Sequence, residues 1–375
     1  MRKLIIFLFI SLICLADAKS KKKKPSSTNQ HPPYPTKPRL AMYYVAFDNY
    51  FNFIDKALYH LHNYICISFK RQNTSVTGIG INFFKTKSKS YVELPKDTKT
   101  PTKVFLTSND ISDNKTVLYY IGLALGLSPE IKRYDRNSYV TVMSSKIDKK
   151  YKSYYKKTTR KTKYSTSFDY GTAMLLRPNY GSKNNKRVYK TKLEPYYDKM
   201  IERTKIFSLN DLKKLYNMYC KGTCEISQDK CANGGYPGIY CYRCECPMPF
   251  TGIDCQSFRP HLDSSCGSKR EFSSNSTENT VEIKNIAPCY YKITSSRKKN
   301  VAVTIKSVKF SDSSICNDSR YGLFVHYRND KGLTPLHICE NAKNVKIPSS
   351  SSTVYISFRV KKGDNVLQFS YKDGK

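Results

Sequence analysis

The stretch Tyr119–Val140 reads YYIGLALGLSPEIKRYDRNSYV. It carries Gly126, Glu130, Arg133, Asp135, Arg136 and Tyr139 at the spacing G-x-x-x-E-x-x-R-x-D-R-x-x-Y. Residue types alone can exclude one chemistry there, metal-assisted hydrolysis. That chemistry needs imidazole nitrogens about 2.0 to 2.1 Å from a zinc ion and a carboxylate to take the proton of the metal-bound water. The stretch contains no histidine. His60 and His62 lie upstream in a helix-like segment, two residues apart. At that spacing they point about 200° apart around the axis and cannot share a metal, so they read as solvated or capping histidines.

Cysteine is the other chemistry-bearing residue. Of the 13 cysteines, Cys14 falls in an N-terminal segment that reads as a secretory signal: Arg2 and Lys3, the apolar run Leu4–Leu15, then Ala16-Asp17-Ala18 as a small-x-small cleavage site. Removing residues 1–18 leaves an even number, which in an oxidising compartment reads as six disulfides; free or metal-binding thiols are the alternative. No later apolar run reaches the length of a membrane span, so the expected location is secreted and extracellular.

The chain has 65 Lys and Arg against 29 Asp and Glu, a formal charge of +36. Such an excess attracts polyanions, which outside the cell are sulfated glycans, anionic surfaces and free nucleic acid. It is concentrated in two places. Residues 19–39 combine Lys19 and Lys21–Lys24 with prolines and almost nothing that could pack, the composition of a disordered basic tail. Lys146–Lys163, KIDKKYKSYYKKTTRKTK, has nine basic residues and one acid, with Tyr151, Tyr154 and Tyr155 interleaved. Its candidate polyanion ligands are Lys149, Lys150, Lys152, Lys156, Lys157, Arg160 and Lys161, by charge and by stacking. A solvated, mobile loop is the other reading of the same run.

These groups need elements to position them. AMYYVAF, then FNFIDKALYHLHNYICISFKR, predict strand, helix and strand, with Phe53, Ile54, Ala57, Leu58 and Leu61 on one helical stripe. Gly78–Phe84 and Val104–Leu106 read as further strands. TVLYYIGLALGL is apolar all round, the mark of a buried helix. SLNDLKKLYNMYC reads as a helix capped by Ser208 with Asp211 as partner, and Leu209, Leu212, Leu215 and Tyr216 as its inner face. Further on, Val301, Val303 and Ile305 alternate, as do Val354, Ile356, Phe358 and Val360, giving strands with one buried face.

The G-x-x-x-E-x-x-R-x-D-R-x-x-Y spacing resembles the segment after the zinc helix of astacin-family metalloendopeptidases, whose helix reads H-E-x-x-H-x-x-G-x-x-H. K-A-L-x-H-L-H-N-Y-x-C-I-S-F resembles the start of nematode-type astacin domains, and FDYGTAMLL resembles the family's Met-turn, with Met174 as its methionine. The resemblance implies an α+β metzincin domain over 40–220, with an N-terminal mixed sheet and helices. Anchored on Gly126, it places Tyr119, Leu123 and Pro129 at the three zinc-ligand positions, Tyr120 at the catalytic glutamate and Leu176 at the assisting tyrosine. Leucine and proline have no donor for zinc, and apolar packing is expected to fill the volume. The family's propeptide motif F-x-G-D is absent from the sequence given. The resemblance pairs Cys66 with Cys220, which closes a loop of about 150 residues.

Downstream, C-x-N-G-G, C-x-C and G-x-x-C resemble an EGF-like module over 221–256, with implied pairs Cys224–Cys241, Cys231–Cys244 and Cys246–Cys255. No acidic cluster of the calcium-binding kind precedes it. Residues 266–372 resemble a CUB domain, a disulfide-braced β-sandwich, with implied pairs Cys266–Cys289 and Cys316–Cys339. The strand GLFVHYRND lacks the glutamate of calcium-dependent CUB sites. Asn73, Asn114, Asn275 and Asn317 are glycosylation sequons, and a glycan on Asn114 would crowd a cleft entrance.

The expectation is a secreted glycoprotein pseudoenzyme, not an enzyme, with no cofactor. It would bind extracellular proteins or sulfated glycans through its cleft, its CUB-like domain and its basic loop. The alternative that family membership implies is a residual zinc-dependent metalloendopeptidase.

Overall fold

The computed structural model describes residues 33–35, 41–45, 51–162, 164–285 and 287–374. The expected signal segment 1–18 and all of the expected tail 19–39 except 33–35 lie outside the described residues. No helix among the described residues is long and apolar enough to cross a membrane.

The first domain begins with β1 (Ala41–Val45), α1 (Phe51–His62), β2 (Ser68–Arg71), β3 (Gly80–Lys85), β4 (Tyr91–Glu93) and β5 (Thr102–Leu106). They build a sheet in the order β2-β1-β3-β5-β4. β1 runs parallel to β2 and β3, β5 is parallel to β3, and only the edge strand β4 is antiparallel. α1 is the crossover that a parallel β1–β2 pair needs. Ile54, Ala57, Leu58 and Leu61 of its stripe are buried in the core. The sequence reading missed β4, a three-residue element too short for a period.

α2 (Ser108–Ile111) and α3 (Asn114–Ala124) follow. The Asp113 side chain caps α3 by accepting from the Thr116 N–H at 3.3 Å. Every residue of α3 from Lys115 to Gly122 is buried. β6 (Val140–Val142) pairs antiparallel with β7 (Tyr189–Thr191). α4 (Tyr196–Arg203) and α5 (Leu209–Leu215) end the domain. Ser208 and Asp211 form a full capping box at the start of α5. Asp211 also accepts from Thr172 Oγ1 at 2.5 Å and from the Ala173 N–H at 3.0 Å, which ties α5 to the turn carrying Met174. Cys66–Cys220 joins the two ends of the domain.

A small unit with three disulfides comes next: Cys224–Cys241, Cys231–Cys244 and Cys246–Cys255. Its strand pairs are β8 (Tyr236–Pro237) with β9 (Cys244–Glu245), and β10 (Phe250–Thr251) with β11 (Ser257–Phe258).

The last unit is a β-sandwich built from β12 (Glu271–Ser274), β13 (Asn279–Asn285), β14 (Cys289–Ser295), β15 (Val301–Lys309), β16 (Gly322–His326), β17 (Leu336–Ile338), β18 (Ala342–Ile347), β19 (Thr353–Arg359) and β20 (Asn365–Asp373). One sheet runs β12-β14-β19-β16-β17 and the other β13-β20-β15-β18. Val301, Val303 and Ile305 alternate into the core, and so do Leu367, Phe369 and Tyr371. Cys266–Cys289 and Cys316–Cys339 brace it.

The first domain and the sandwich share one apolar core. Phe168, Tyr170, Leu175, Tyr197 and Ile201 cluster with Leu336, Ile338 and Cys339. Tyr170 stacks on Tyr197 at 3.7 Å, and the Tyr197 hydroxyl bonds to that of Tyr327. Lys199 pairs with Glu340 at 2.6 Å. A Cβ on Gly171 would collide with Thr334, so this approach requires glycine.

One expectation is corrected here. Within the tail read as unpacked, Tyr34 is 1 % exposed. Its hydroxyl donates to Gly80 O at 2.8 Å and meets Thr102 Oγ1, and its ring lies 6.5 Å from that of Tyr219. One aromatic ring among charges and prolines has no periodicity, so composition alone hid an anchor.

Candidate functional site

The residues of the G-x-x-x-E-x-x-R-x-D-R-x-x-Y spacing form a buried frame. Gly126 ends the α3 region at φ +87°, and a Cβ there would stand 2.6 Å from Pro33 Cδ. Glu130 Oε1 pairs with Lys214 Nζ at 2.7 Å, both side chains almost fully buried. Burial on its own lowers the Lys214 pKa, but Glu130 with Asp211 outweighs it and the pKa is raised. Arg133 binds Asp135 with two bonds of 2.8 Å and donates to Thr166 O at 2.8 Å. Arg136 donates to Ile131 O at 2.6 Å and to Tyr155 O, while Tyr139 stacks on Phe168 at 4.7 Å. These groups bond to one another, to backbone and to neighbouring side chains, while Arg136 Nε is buried without a hydrogen-bond partner among the described residues.

The positions aligned with the metal site lie beside this frame. Tyr119 and Leu176 are buried and share one cavity with Ile131, Tyr154, Tyr155, Tyr180 and Tyr189. The cavity holds about 10 Å³, room for about one water. Leu123 is half-buried against the core, and Pro129 is half-buried at the head of the 3-10 turn Glu130–Lys132. Met174 lies beneath, its sulfur pressed so closely on Gly122 that no Cβ fits there.

Tyr120 organises the polar side of the cluster. Its hydroxyl lies 3.0 Å from Ser90 O, 2.9 Å from the Tyr154 hydroxyl and 3.0 Å from the Tyr180 hydroxyl. Tyr154 also donates to Ser90 O, and Tyr155 to Tyr180 O. Tyr189 donates to Leu176 O at 2.5 Å. Burial pushes the phenols of Tyr119, Tyr120 and Tyr180 far up and that of Tyr154 to about 12, so all four stay neutral near pH 7. A neutral phenol, a leucine and a proline do not fit a zinc ion, which takes imidazole, thiolate or carboxylate. Among the described residues no three of His, Cys, Asp and Glu gather around a common point for a metal.

Tyr154 and Tyr155 come from the basic segment. Lys149–Tyr155 is a 3-10 helix, started by Asp148, whose Oδ1 accepts the Lys150 N–H at 3.0 Å. Tyr155 is buried and Tyr154 half-buried, whereas Lys149, Lys150, Lys152, Lys156, Lys157, Arg160 and Lys161 are all exposed. The reading of this run as a loop free in solvent is therefore corrected over 149–155. Tyr154 and Tyr155 line the cavity, and the lysines of the segment are exposed. The run itself carried the signal, two adjacent tyrosines among lysines; Tyr180, Tyr189 and Ser90 carried none.

The other sequence candidates lie apart. His60 is half-buried with its ring 4.9 Å from that of Tyr64, and burial lowers its pKa; His62 is exposed. Asn73, Asn114, Asn275 and Asn317 are exposed, and the Thr116 hydroxyl of the Asn114 sequon bonds Asp113 at 2.6 Å. Under the Met174 turn, Asp169 is fully buried, accepting from the Gly171 N–H at 3.0 Å and from Thr334 Oγ1 at 3.2 Å. Burial, with Asp211 and Glu130 nearby, raises it to about 6. Lys115 is buried with Nζ 3.3 Å from Thr172 O, and burial, with Arg177, lowers it to about 7.

Comparisons with known proteins agree on the first domain. The family model described as Astacin, a peptidase family, matches residues 41–220. The Caenorhabditis elegans zinc metalloproteinase nas-34 is 27% identical over 258 residues, 68% of this chain and 41% of that protein. The C. elegans zinc metalloproteinase dpy-31 is 28% identical over 227 residues, 60% of this chain and 38% of that protein. The match thus spans about two fifths of the length of each of these relatives. Among solved structures, High choriolytic enzyme 1, a hatching enzyme zinc-protease of the medaka fish Oryzias latipes, aligns with TM-score 0.43 and 19% identity over 52% of this chain and 98% of that one. The CUB1-EGF-CUB2 domain of human MASP-1/3 aligns with TM-score 0.24 and 15% identity over 39% of this chain and 55% of that one. With the family model on 41–220 and zinc metalloproteinases among its relatives, the chain is, through its first domain, an astacin-family homologue.

Proposed function

We propose that the protein is a pseudoprotease, an astacin-family scaffold that works by binding rather than by peptide hydrolysis. The observation that carries this reading is the tyrosine-filled space around Tyr119 and Leu176, with Leu123 and Pro129 offering no zinc donor. Tyr120, aligned with the catalytic glutamate, is held by three hydrogen-bond partners. Burial keeps its phenol neutral, which supports a structural role over that of a general base.

In this reading residues 221–256 are an EGF-like module and 266–372 a CUB-like domain, and both serve recognition. The three-disulfide hairpin unit and the two-sheet sandwich support those assignments. The disulfides support a secreted protein, with glycans on the exposed sequons.

The test is zinc quantification beside a peptide-cleavage assay on the purified protein. Zinc at well under one ion per chain and no chelator-sensitive cleavage is the expected result. Stoichiometric zinc, with cleavage that chelators abolish and that tracks the protein through purification, would overturn the reading.

A further inference from the structure

The basic segment does not stand alone. Lys89, from the connection between β3 and β4, reaches across it with Nζ 3.4 Å from Lys150 O and 5.9 Å above the Tyr154 ring. On its other side, the Asp148 N–H donates to Gly181 O at 3.0 Å and the Lys183 N–H to Lys146 O at 3.1 Å, with a bridge between Ile147 and Ser182. Three stretches far apart in sequence, 85–89, 146–158 and 181–186, are thus joined by backbone and side-chain bonds. The joined stretches carry exposed Lys87, Lys149, Lys152, Lys156, Lys183 and Lys186.

None of these six lysines forms an ion pair among the described residues. The nearby acids are engaged: Asp148 caps the 3-10 helix, and Asp110 accepts from Ser90 and lies 3.5 Å from the Tyr180 hydroxyl. Half-buried Lys132 sits behind the segment, its carbonyl accepting from the Thr158 N–H at 2.7 Å. Burial first, and the charge of Lys156 second, lower its pKa, so Lys132 feels the positive charge of the segment.

We propose that this composite lysine face is a docking site for a linear sulfated glycan. The proposal rests on the reading of the chain as a binding scaffold and adds the surface and the ligand class. The tyrosine plug holds the backbone of the central segment still, so its cations are presented with less ordering entropy left to lose on binding. The face favours sulfate over nucleic acid for two reasons. Of the three rings that could stack on bases, Tyr154 and Tyr155 are committed to the plug, and half-buried Tyr151 packs on Tyr154 and Tyr180 at 5.8 and 5.5 Å. The six cations of the face are lysine point charges, and the one arginine of the run, Arg160, lies beyond the joined stretch, so the planar fork by which arginine recognises phosphates and bases is not part of it. A chain held by six disulfides also belongs in an oxidising compartment, where sulfated glycans are found.

The test is heparin-oligosaccharide titration of the full chain at physiological salt, with three variants. Lys149→Ser, Lys152→Ser and Lys156→Ser remove the central charges; Lys87→Ser, Lys183→Ser and Lys186→Ser remove the flanking ones. Lys298→Ser, Lys299→Ser and Lys343→Ser remove three exposed charges from the sandwich as a control. Both the central and the flanking variants should weaken binding about tenfold or more and reduce the salt dependence, with the control within about threefold of the parent. No heparin binding, an equal loss in the control, a silent flanking variant, or tighter binding to single-stranded DNA of matched charge would each overturn the proposal. None of these outcomes bears on zinc content or peptide cleavage, so the two readings fail separately.

Discussion

The Tyr120 and Tyr154 hydroxyls lie 2.9 Å apart, one on the buried helix α3 and the other on the basic segment. Through this bond the buried helix α3 is tied to the basic segment, whose Tyr154 and Tyr155 line the cavity beside Tyr119.

If the hydroxyls act as a unit, Tyr120→Phe and Tyr154→Phe should each cost about 1 kcal/mol in urea unfolding, and the double variant less than the sum. Tyr155→Ala removes a buried ring and should cost about 3 kcal/mol or more. Additive single effects, or a silent Tyr155→Ala, would show that the plug is not packed as described.

Glu130 and Lys214 form a buried pair, so removing one partner strands the other. Glu130→Ala should destabilise by about 3 to 5 kcal/mol, while Glu130→Met with Lys214→Met should recover most of that loss in denaturant melts. A single variant as stable as the parent would mean that water reaches the pair.

Tyr34 anchors a segment ahead of the first strand. Tyr34→Ala should cost about 3 kcal/mol, and Gly126→Ala should also destabilise, through its positive φ and the Pro33 contact. Chemical unfolding of both variants checks this. If Tyr34→Ala were neutral, the 33–35 contact would not persist in solution.

Stability should respond to pH with opposite signs at two buried groups. Asp169, raised to about 6, binds more protons folded than unfolded between about pH 4 and 6, so its contribution is present at low pH and lost as pH rises through 6. Lys115, lowered to about 7, binds fewer protons folded than unfolded between about pH 7 and 10.5, so its destabilisation is relieved as pH climbs through that window. Asp169→Asn should flatten the first slope and gain stability near pH 7.5 relative to pH 4. Denaturation midpoints across pH 4 to 10 measure both, and an unchanged slope in Asp169→Asn would refute the assignment.

Much of the frame was legible locally. The stripe Ile54, Ala57, Leu58 and Leu61 gives α1 by its period, Ser208 and Asp211 start α5 by their spacing, and alternation marks the strands from Val301 and Val354. Local order also places Leu123 and Pro129, residues with no lone pair for zinc, in the stretch beside Gly126 and Glu130.

Only the tertiary structure decided what replaces the chemistry and where the charge goes. Tyr154, Tyr155, Tyr180 and Tyr189 converge on Tyr119 from separate segments, Tyr34 reaches back to Gly80, and Lys89 and Lys183 bond to the basic segment at Lys150 and Lys146. Periodicity and spacing record what a residue's near neighbours in the chain require. Ring-on-ring packing and charge convergence depend on contacts between residues tens of positions apart, and no short window of sequence contains both partners of such a contact.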